Sequence, residues 1–505
     1  MYFRGRTLWG ILCLFSVFTL SSLNYFYELH KTVRDYIPGY RVNELRNDSQ
    51  VSSTIPSHLS LPLQPGPVTA KFRDALLPDH KYITTFPDAG WTNDVMNTAH
   101  LLVLSFLTRR TPILPPFHPS HVGREAGIIP FSDVFDIDRL SRAMNIPILE
   151  WHQIKNTSDE EHYANPATRG YYGGEKEELG CWTVWPSQRA DGASPRGRSS
   201  QILSLDISWT PVPFVPYPRT PGIDWSITAL ANLGYSFGRA EAIDYARDWW
   251  RTDLGKKYAA RPELKTAPLP DKIPWPNSLG NQIDPDDQLS CFDFIYYIRV
   301  DTGNPWWDES GMFWNTVGTH MHWTPLINSI ARNILNDLLD ISAPPLVPLS
   351  QEPTTPMPEY IAIHARRGDF ARICAPYNRE DCLPSIAILN RRVSEIRLEL
   401  EDKGFRNTDS LKVILLTDEP HSSENFWADA TALGWLWVDH DKYRTEELYG
   451  RWFPMLVDAC LQSSAVGFVG TEGSTMSNIA RRRVIDWSGG AGTMVRWGNP
   501  TADNH

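Results

Sequence analysis

Two periodicities take turns along this chain, one of two residues and one of between three and four. YITTF, from Tyr82 to Phe86, is a short apolar run of strand length. The polar turn PDAGWTND follows, and then Val95, Ala99, Leu102 and Phe106 recur on one helical face. Arg109 and Arg110 stand where cations favour a helix C-terminus, Pro112 forbids continuation, and ILPPF reads as the next strand. That is one strand–helix–strand unit. From about 156 to 288 the periodicity fades among Gly, Pro, Trp and charged residues, which reads as a large insertion or elaborated loops. The helix pattern PLINSIARNILNDLL and the proline-rich SAPPLVPLSQEPTTPMP then mark a domain boundary.

Beyond that boundary the alternation is clean. EYIAIHARR, KVILLTD, GWLWVDH and AVGFVG are strands. Between them lie a helix striped by Ile386, Leu389, Val393, Ile396 and Leu400, and a second, EELYGRWFPMLVDACLQ; GSTMSNIARRR opens a last one. Strand–helix alternation of this kind builds a parallel, doubly wound α/β sheet whose ligands sit at the carboxyl ends of the strands.

The N-terminus follows a different rule. Arg4 and Arg6 precede an apolar run from about Thr7 to Leu23, just long enough for a thin bilayer. Basic flanking residues keep that end cytosolic, so the expectation is a single-pass type II membrane protein with its bulk in the Golgi or endoplasmic reticulum lumen. A cleaved leader ending near Ser21 and Ser22 is the alternative. The organisation expected is a tail and signal-anchor over 1–30 and a luminal stem over 31–78. A first Rossmann-like domain over 79–345, with the insertion, and a second over 346–500 complete it. Sequons at Asn47 and Asn156 fit luminal exposure. Cys374 and Cys382 bracket a short polar loop and could close a local disulfide in an oxidising lumen; Cys181 and Cys291 are a further pair that spacing cannot decide.

Composition narrows the choice. With 505 residues, 42% hydrophobic and 21% charged, the chain can fold around large cores, while forty prolines and twenty tryptophans favour long packed loops. A net charge of -11 excludes a nucleic-acid partner, which demands a basic face. A local cationic pocket is nevertheless present. IAIHARRGDF delivers His364, Arg366, Arg367 and Asp369 where a strand emerges, and guanidinium forks suit a diphosphate. The ordinary reading of that pair is surface salt bridging, and the embedded Arg-Gly-Asp triplet is a chance match on a strand-end turn. In GTEGSTMSNIARRR, Ser474, Thr475 and Ser477 are N-cap types whose free N–H groups and helix dipole suit a phosphate, although any capped helix offers as much. Asp458 sits late in an apolar helix pattern; a carboxylate can accept guanine's N1–H and amino group together, or simply pair with a cation.

Together, the H-x-R-R-x-D strand end, the strand ending in Thr417-Asp418, and Asp458 spaced before F-V-G-T-x-x-S-T-x-S resemble the GDP-fucose protein O-fucosyltransferase family. The AGWTND turn with Gly90 and Asn93, the following ILPPF and FSDVFDIDRL are similar to that family too. The resemblance covers about 82–139 and 314–487. It implies a GT-B fold, two Rossmann-like domains facing across a cleft, with GDP-fucose as donor substrate. It implies that Arg366 binds the β-phosphate and supports its departure, and that Arg367 and His364 line the pocket. Asp458 would read guanine, and Ser474, Thr475 and Met476 would hold phosphate and base. The family commonly has Phe where Met476 stands and Gln where Asp94 stands.

The implied reaction is inverting transfer of fucose to a hydroxyl, that of a protein Ser or Thr or of a glycan acceptor, without a metal cofactor. Charge builds on departing GDP, so the arginines act chiefly in the transition state. Asp88 and Asp94, flanking the glycine turn, are the candidate bases, with Glu472 a weaker one. A metal-dependent rival would use one of the D-x-D triplets at Asp136–Asp138, Asp284–Asp286 or Asp439–Asp441. Two further rivals are a catalytically silent glycan-binding or scaffold module and a transferase using another GDP-sugar.

Overall fold

The computed structural model describes residues 60–156, 176–184, 197, 199–212, 230, 274–296, 298, 312–341 and 357–503. The apolar run at 7–23, Asn47, the linker at 342–356 and most of the 156–288 stretch lie outside them. Among the described residues no helix is long and apolar enough to cross a membrane. Nearly all of them fall in one compact unit, Leu61–Ser141 with Pro147–His505; the other unit, Met1–Ser60 with Arg142–Ile146, is almost wholly outside the description.

Strands buried on both faces carry continuous apolar runs, and that is why they pair in parallel here. The first sheet comprises β1 (Tyr82–Thr85), β2 (Thr111–Leu114), β3 (Leu149–Glu150), β4 (Glu177–Thr183), β5 (Leu205–Pro211) and β6 (Leu289–Phe292), in the order β3-β2-β1-β6-β4-β5. All its pairings are parallel, with Tyr82 opposite both Thr111 and Leu289. Helix α1 (Trp91–Thr108) crosses from β1 to β2 and ends on Arg109, which is left-handed at φ 54°. Arg110 is not a helix-end cation as expected. It is buried, and donates to the carbonyls of Tyr82 (3.2 Å), Asp287 (3.0 Å) and Gln288 (3.2 Å), tying the starts of β1 and β6 together.

Two sequence expectations are corrected in this half. The 156–288 stretch contributes β4 and β5 to the sheet, and a disulfide between Cys181 and Cys291 bolts β4 to β6. The stem's last residues are folded rather than free: Phe72 and Leu76 are buried in the core with Trp151, and the Tyr82 hydroxyl donates to the Pro62 carbonyl at 2.6 Å.

Helix α2 (Pro325–Leu338) starts at Thr324, whose Oγ1 accepts the Ile327 N–H. Nearby Arg483, fully buried, donates to the Met321 carbonyl at 3.2 Å and lies over the rings of Trp323 and Trp487. Burial pulls its guanidinium down to about 9.

The second sheet has β7 (Ile361–Ala365), β8 (Val413–Thr417), β9 (Leu436–Trp437), β10 (Gly467–Thr471) and β11 (Ala491–Val495), all parallel, ordered β11-β10-β7-β8-β9. Helix α3 (Ile386–Asp402) is capped by Ser385, and its five-residue stripe is buried against Ile361, Ile363, Val413, Leu415 and Val469. Each such side chain contributes about 1.5–3 kcal/mol relative to exposure. The run EELYGRWFPMLVDACLQ is not one helix. It breaks at Gly450, whose φ of 103° no L side chain adopts easily, into Thr445–Tyr449 and α4 (Phe453–Ser464). Helix α5 (Thr475–Ser488) follows β10 and leads to β11.

Candidate donor-binding site

The carboxyl ends of β7 and β10 are laced together by short polar side chains. The Thr471 hydroxyl donates to the His364 carbonyl (2.9 Å), and the Arg366 N–H donates to Thr471 Oγ1 (2.9 Å). His364 is buried with its Nδ1 2.7 Å from Ser477 Oγ; burial and the neighbouring Arg366 charge pull its imidazole down to about 4, so it is neutral at physiological pH. Ser474 caps α5, accepting the Ser477 N–H, and Thr475 and Met476 form its half-buried first turn.

Arg366 projects from this platform. Its Nε and one terminal nitrogen each lie 2.8 Å from an oxygen of Asp369, and Nε is 3.4 Å from Asp418 Oδ2. These carboxylates hold the guanidinium firmly charged, and its charge in turn keeps Asp369 below the usual carboxylate range. Asp418 also shapes the loop: its Oδ1 accepts the N–H groups of Arg367 (2.6 Å) and Gly368 (2.9 Å). Gly368 admits this because a Cβ there would lie 2.8 Å from Asp418 Oδ2.

The first sheet supplies the opposite side. Thr92 Oγ1, in the first turn of α1, is 2.7 Å from Thr475 Oγ1 in the first turn of α5, so two helix N-termini converge. His121 packs on Gly90, where a Cβ would fall 2.7 Å from its ring, and the same imidazole helps to lower Asp369. Asn93 Oδ1, Asp94 Oδ2 and Trp91 Nε1 are buried in that turn without a partner among the described residues. Paired N-terminal dipoles and a guanidinium fork are the kinds of group that attract an anion such as a diphosphate. Asp458, on α4, forms a separate cluster: its Oδ1 lies 3.1 Å from His440 Nε2.

Over residues 82–485 the sequence matches the family described as GDP-fucose protein O-fucosyltransferase. The chain belongs to that family. It is therefore a glycosyltransferase of the fucosyltransferase group, with an α/β fold of parallel sheets. A crystal structure of POFUT1 in complex with GDP-fucose is similar at 15% identity, covering 82% of this chain and 98% of that chain, with a TM-score of 0.44. The NodZ α-1,6-fucosyltransferase soaked with GDP-fucose is similar at 11% identity over 80% of this chain and 93% of its own, with a TM-score of 0.31. No curated protein sequence matches.

Within this fucosyltransferase-family chain, two expectations about site residues change. Arg367 does not line the pocket with Arg366. It is buried, with Nε 2.8 Å from Glu419 Oε2, a terminal nitrogen on the Pro384 carbonyl, and its guanidinium 4.7 Å over the Phe426 ring. Asp94 is fully buried, accepts the Ala89 N–H at 3.1 Å, and is pushed well above the carboxylate range by desolvation, so burial works against its serving as a charged base. Asp88 stays half-buried at the end of the β1 turn, and Glu472 is exposed beside Arg496.

In each of the D-x-D triplets of the metal-dependent rival, one carboxylate serves local structure. Asp136 accepts the Arg139 N–H, Asp286 pairs with Arg73 at 2.6 Å, and Asp439 accepts the Asp441 and Lys442 N–H groups. Among the described residues no three His, Cys, Asp or Glu side chains gather as metal ligands would. Cys374 and Cys382 are joined, stapling the loop after Arg366, and Asn156 is exposed. Asp418, His121, Thr92 and His440 were invisible as site residues in the sequence. Only Asp418 left a trace there, as the polar end of an apolar strand.

Proposed function

We propose that this chain transfers fucose from GDP-fucose to the hydroxyl of a serine or threonine in a protein, with inversion and without a metal ion. The observation that carries the reading is the convergence of the α1 and α5 N-termini at Thr92 and Thr475, together with the fork of Arg366 at the carboxyl end of β7. Their positive ends would face the diphosphate. Arg366 would exchange Asp369 for a phosphate oxygen as negative charge builds there, which favours the transition state over the bound donor. In the single displacement, the acceptor oxygen bonds to the anomeric carbon while the carbon–phosphate-oxygen bond breaks and GDP leaves with its electron pair. Asp88 takes the acceptor proton in this scheme. Cationic and dipolar groups then do the neutralisation that a metal does elsewhere, and the engagement of Asp136, Asp286 and Asp439 in turns and an ion pair supports that. Two disulfides among the described residues fit an oxidising lumen, in keeping with a type II anchor at 7–23 in the Golgi or endoplasmic reticulum.

The test is a donor screen on the purified protein, measuring binding and hydrolysis of GDP-fucose, GDP-mannose and UDP-sugars with and without EDTA. GDP-fucose should be preferred and chelation should leave its rate unchanged. Preference for another donor, or loss on chelation restored by Mn²⁺, would overturn the corresponding part.

A further inference from the structure

The Asp439–Asp441 triplet has a use apart from metal binding. Asp439 Oδ1 accepts the N–H groups of Asp441 (3.1 Å) and Lys442 (3.0 Å), closing a turn immediately after β9. Lys442 Nζ and the Tyr443 hydroxyl then donate to Asp337 on α2, at 2.7 and 2.6 Å, and pin the turn from outside. The residue this turn presents is His440.

All the polar capacity of that imidazole is spent. Thr445, fully buried, donates its backbone N–H to the His440 carbonyl (3.0 Å) and holds its Oγ1 3.2 Å from Nδ1. The other nitrogen, Nε2, is 3.1 Å from Asp458 Oδ1. When the threonine hydroxyl donates to Nδ1, Nε2 carries the proton and donates to the carboxylate. Both side chains are about a quarter exposed, 22% for His440 and 25% for Asp458, so the pair is anchored on one side and open on the other.

We propose that His440 is a positioning residue for nucleotide-base recognition. It fixes the rotation of the Asp458 carboxylate so that the open edge presents two parallel acceptors to a base carrying adjacent N–H donors, as guanine does. The proposal rests on Asp458 being the base-reading residue. A carboxylate free to rotate would meet those two donors in register only part of the time, and the loss would fall on base selection rather than on phosphate binding.

The experiment is calorimetry of GDP and IDP on the whole protein, with pyrophosphate competition as a base-independent control. IDP lacks the 2-amino group, so the GDP-to-IDP affinity ratio reports the paired contact. His440→Ala should weaken GDP about three- to tenfold, the net scale of one ordinary hydrogen bond, and shrink the ratio while leaving pyrophosphate competition unchanged. His440→Gln, whose amide can still donate to Asp458, should recover part of the ratio, and Thr445→Val should lose part of it. Asp458→Asn is the separating arm. If it collapses the ratio while folded His440→Ala keeps the wild-type value, His440 does not position the reader. If Asp458→Asn itself leaves the ratio intact, the base-reading assignment fails and takes the proposal with it. Should His440→Ala fail to fold, an unchanged ratio in Thr445→Val overturns the proposal.

Discussion

Asp418 offers the sharpest test of how Arg366, the proposed phosphate-facing arginine, is aimed. Its Oδ1 takes two backbone N–H groups of the Arg366 loop, at 2.6 and 2.9 Å, while Oδ2 stands 3.4 Å from Arg366 Nε. Asp418→Ala removes all three contacts. Hydrogen bonds to a charged group are worth about 1.5–3 kcal/mol each. The side chain is one-third exposed, so water should repay part of that, leaving a net loss of about 1–3 kcal/mol in loop order. Arg366 keeps Asp369, and the donor should still bind. What should fall is the fraction of time the fork points correctly, and with it kcat, by about ten- to a hundredfold, since 1.4 kcal/mol is tenfold. Gly368→Ala approaches the same contact from the other side, because its Cβ would sit 2.8 Å from Oδ2 and displace the carboxylate. Asp418→Asn retains an oxygen acceptor and should lose no more than about fivefold. The assay is steady-state kcat and KM for GDP-fucose turnover, with a thermal melt of each variant. Folded Asp418→Ala and Gly368→Ala proteins that both keep the wild-type kcat would refute the reasoning.

Arg366→Lys should keep much of the donor affinity but lose about a hundredfold or more in turnover, because lysine retains the charge without the planar fork; equal small losses in binding and turnover would make Arg366 structural. Burial holds His100 and His364 neutral down to about 4, against about 6.5 when unfolded, so their contribution to stability is full above about pH 6.5 and lost as pH falls toward 4. Asp94, whose carboxyl burial raises, slopes the other way, its contribution declining as pH rises above about 4. Thermal melts across pH should therefore show a shallower profile for His100→Asn and a steeper one for Asp94→Asn; parallel profiles would contradict both. A chain beginning at Leu61 should fold, whereas one beginning at residue 79 forfeits the burial of Phe72 and Leu76, about 3–6 kcal/mol, and should melt lower or aggregate; equal melting temperatures would show that this segment is dispensable.

The elements that the chain's own periodicity determined are those with local, redundant signals. β7, β8 and β10 are apolar runs, and the stripe from Ile386 to Leu400 could bury itself only against them. The strand ends and helix caps were legible for the same reason, being fixed by residues within a few positions, so His364 and Arg366 stand at the carboxyl end of β7 and Ser474 caps α5 as the pattern places them. What the pattern could not carry were decisions taken by distant partners. β4 and β5 have no clean alternation and exist as strands because β4 joins the edge of β6 and β5 in turn joins β4. Arg366 and Arg367 are neighbours of identical chemistry; Glu419, Pro384 and Phe426 bury one of them, and that alone leaves the other at the site. Asp94 reads as a base until burial raises its carboxyl well above the usual range, and Asp439–Asp441 reads as a metal motif until the Asp439 carboxylate is seen to accept two backbone N–H groups of its own turn. A residue's type and spacing set what it can do; whether it is desolvated, and which charge stands beside it, is settled only when the chain closes on itself.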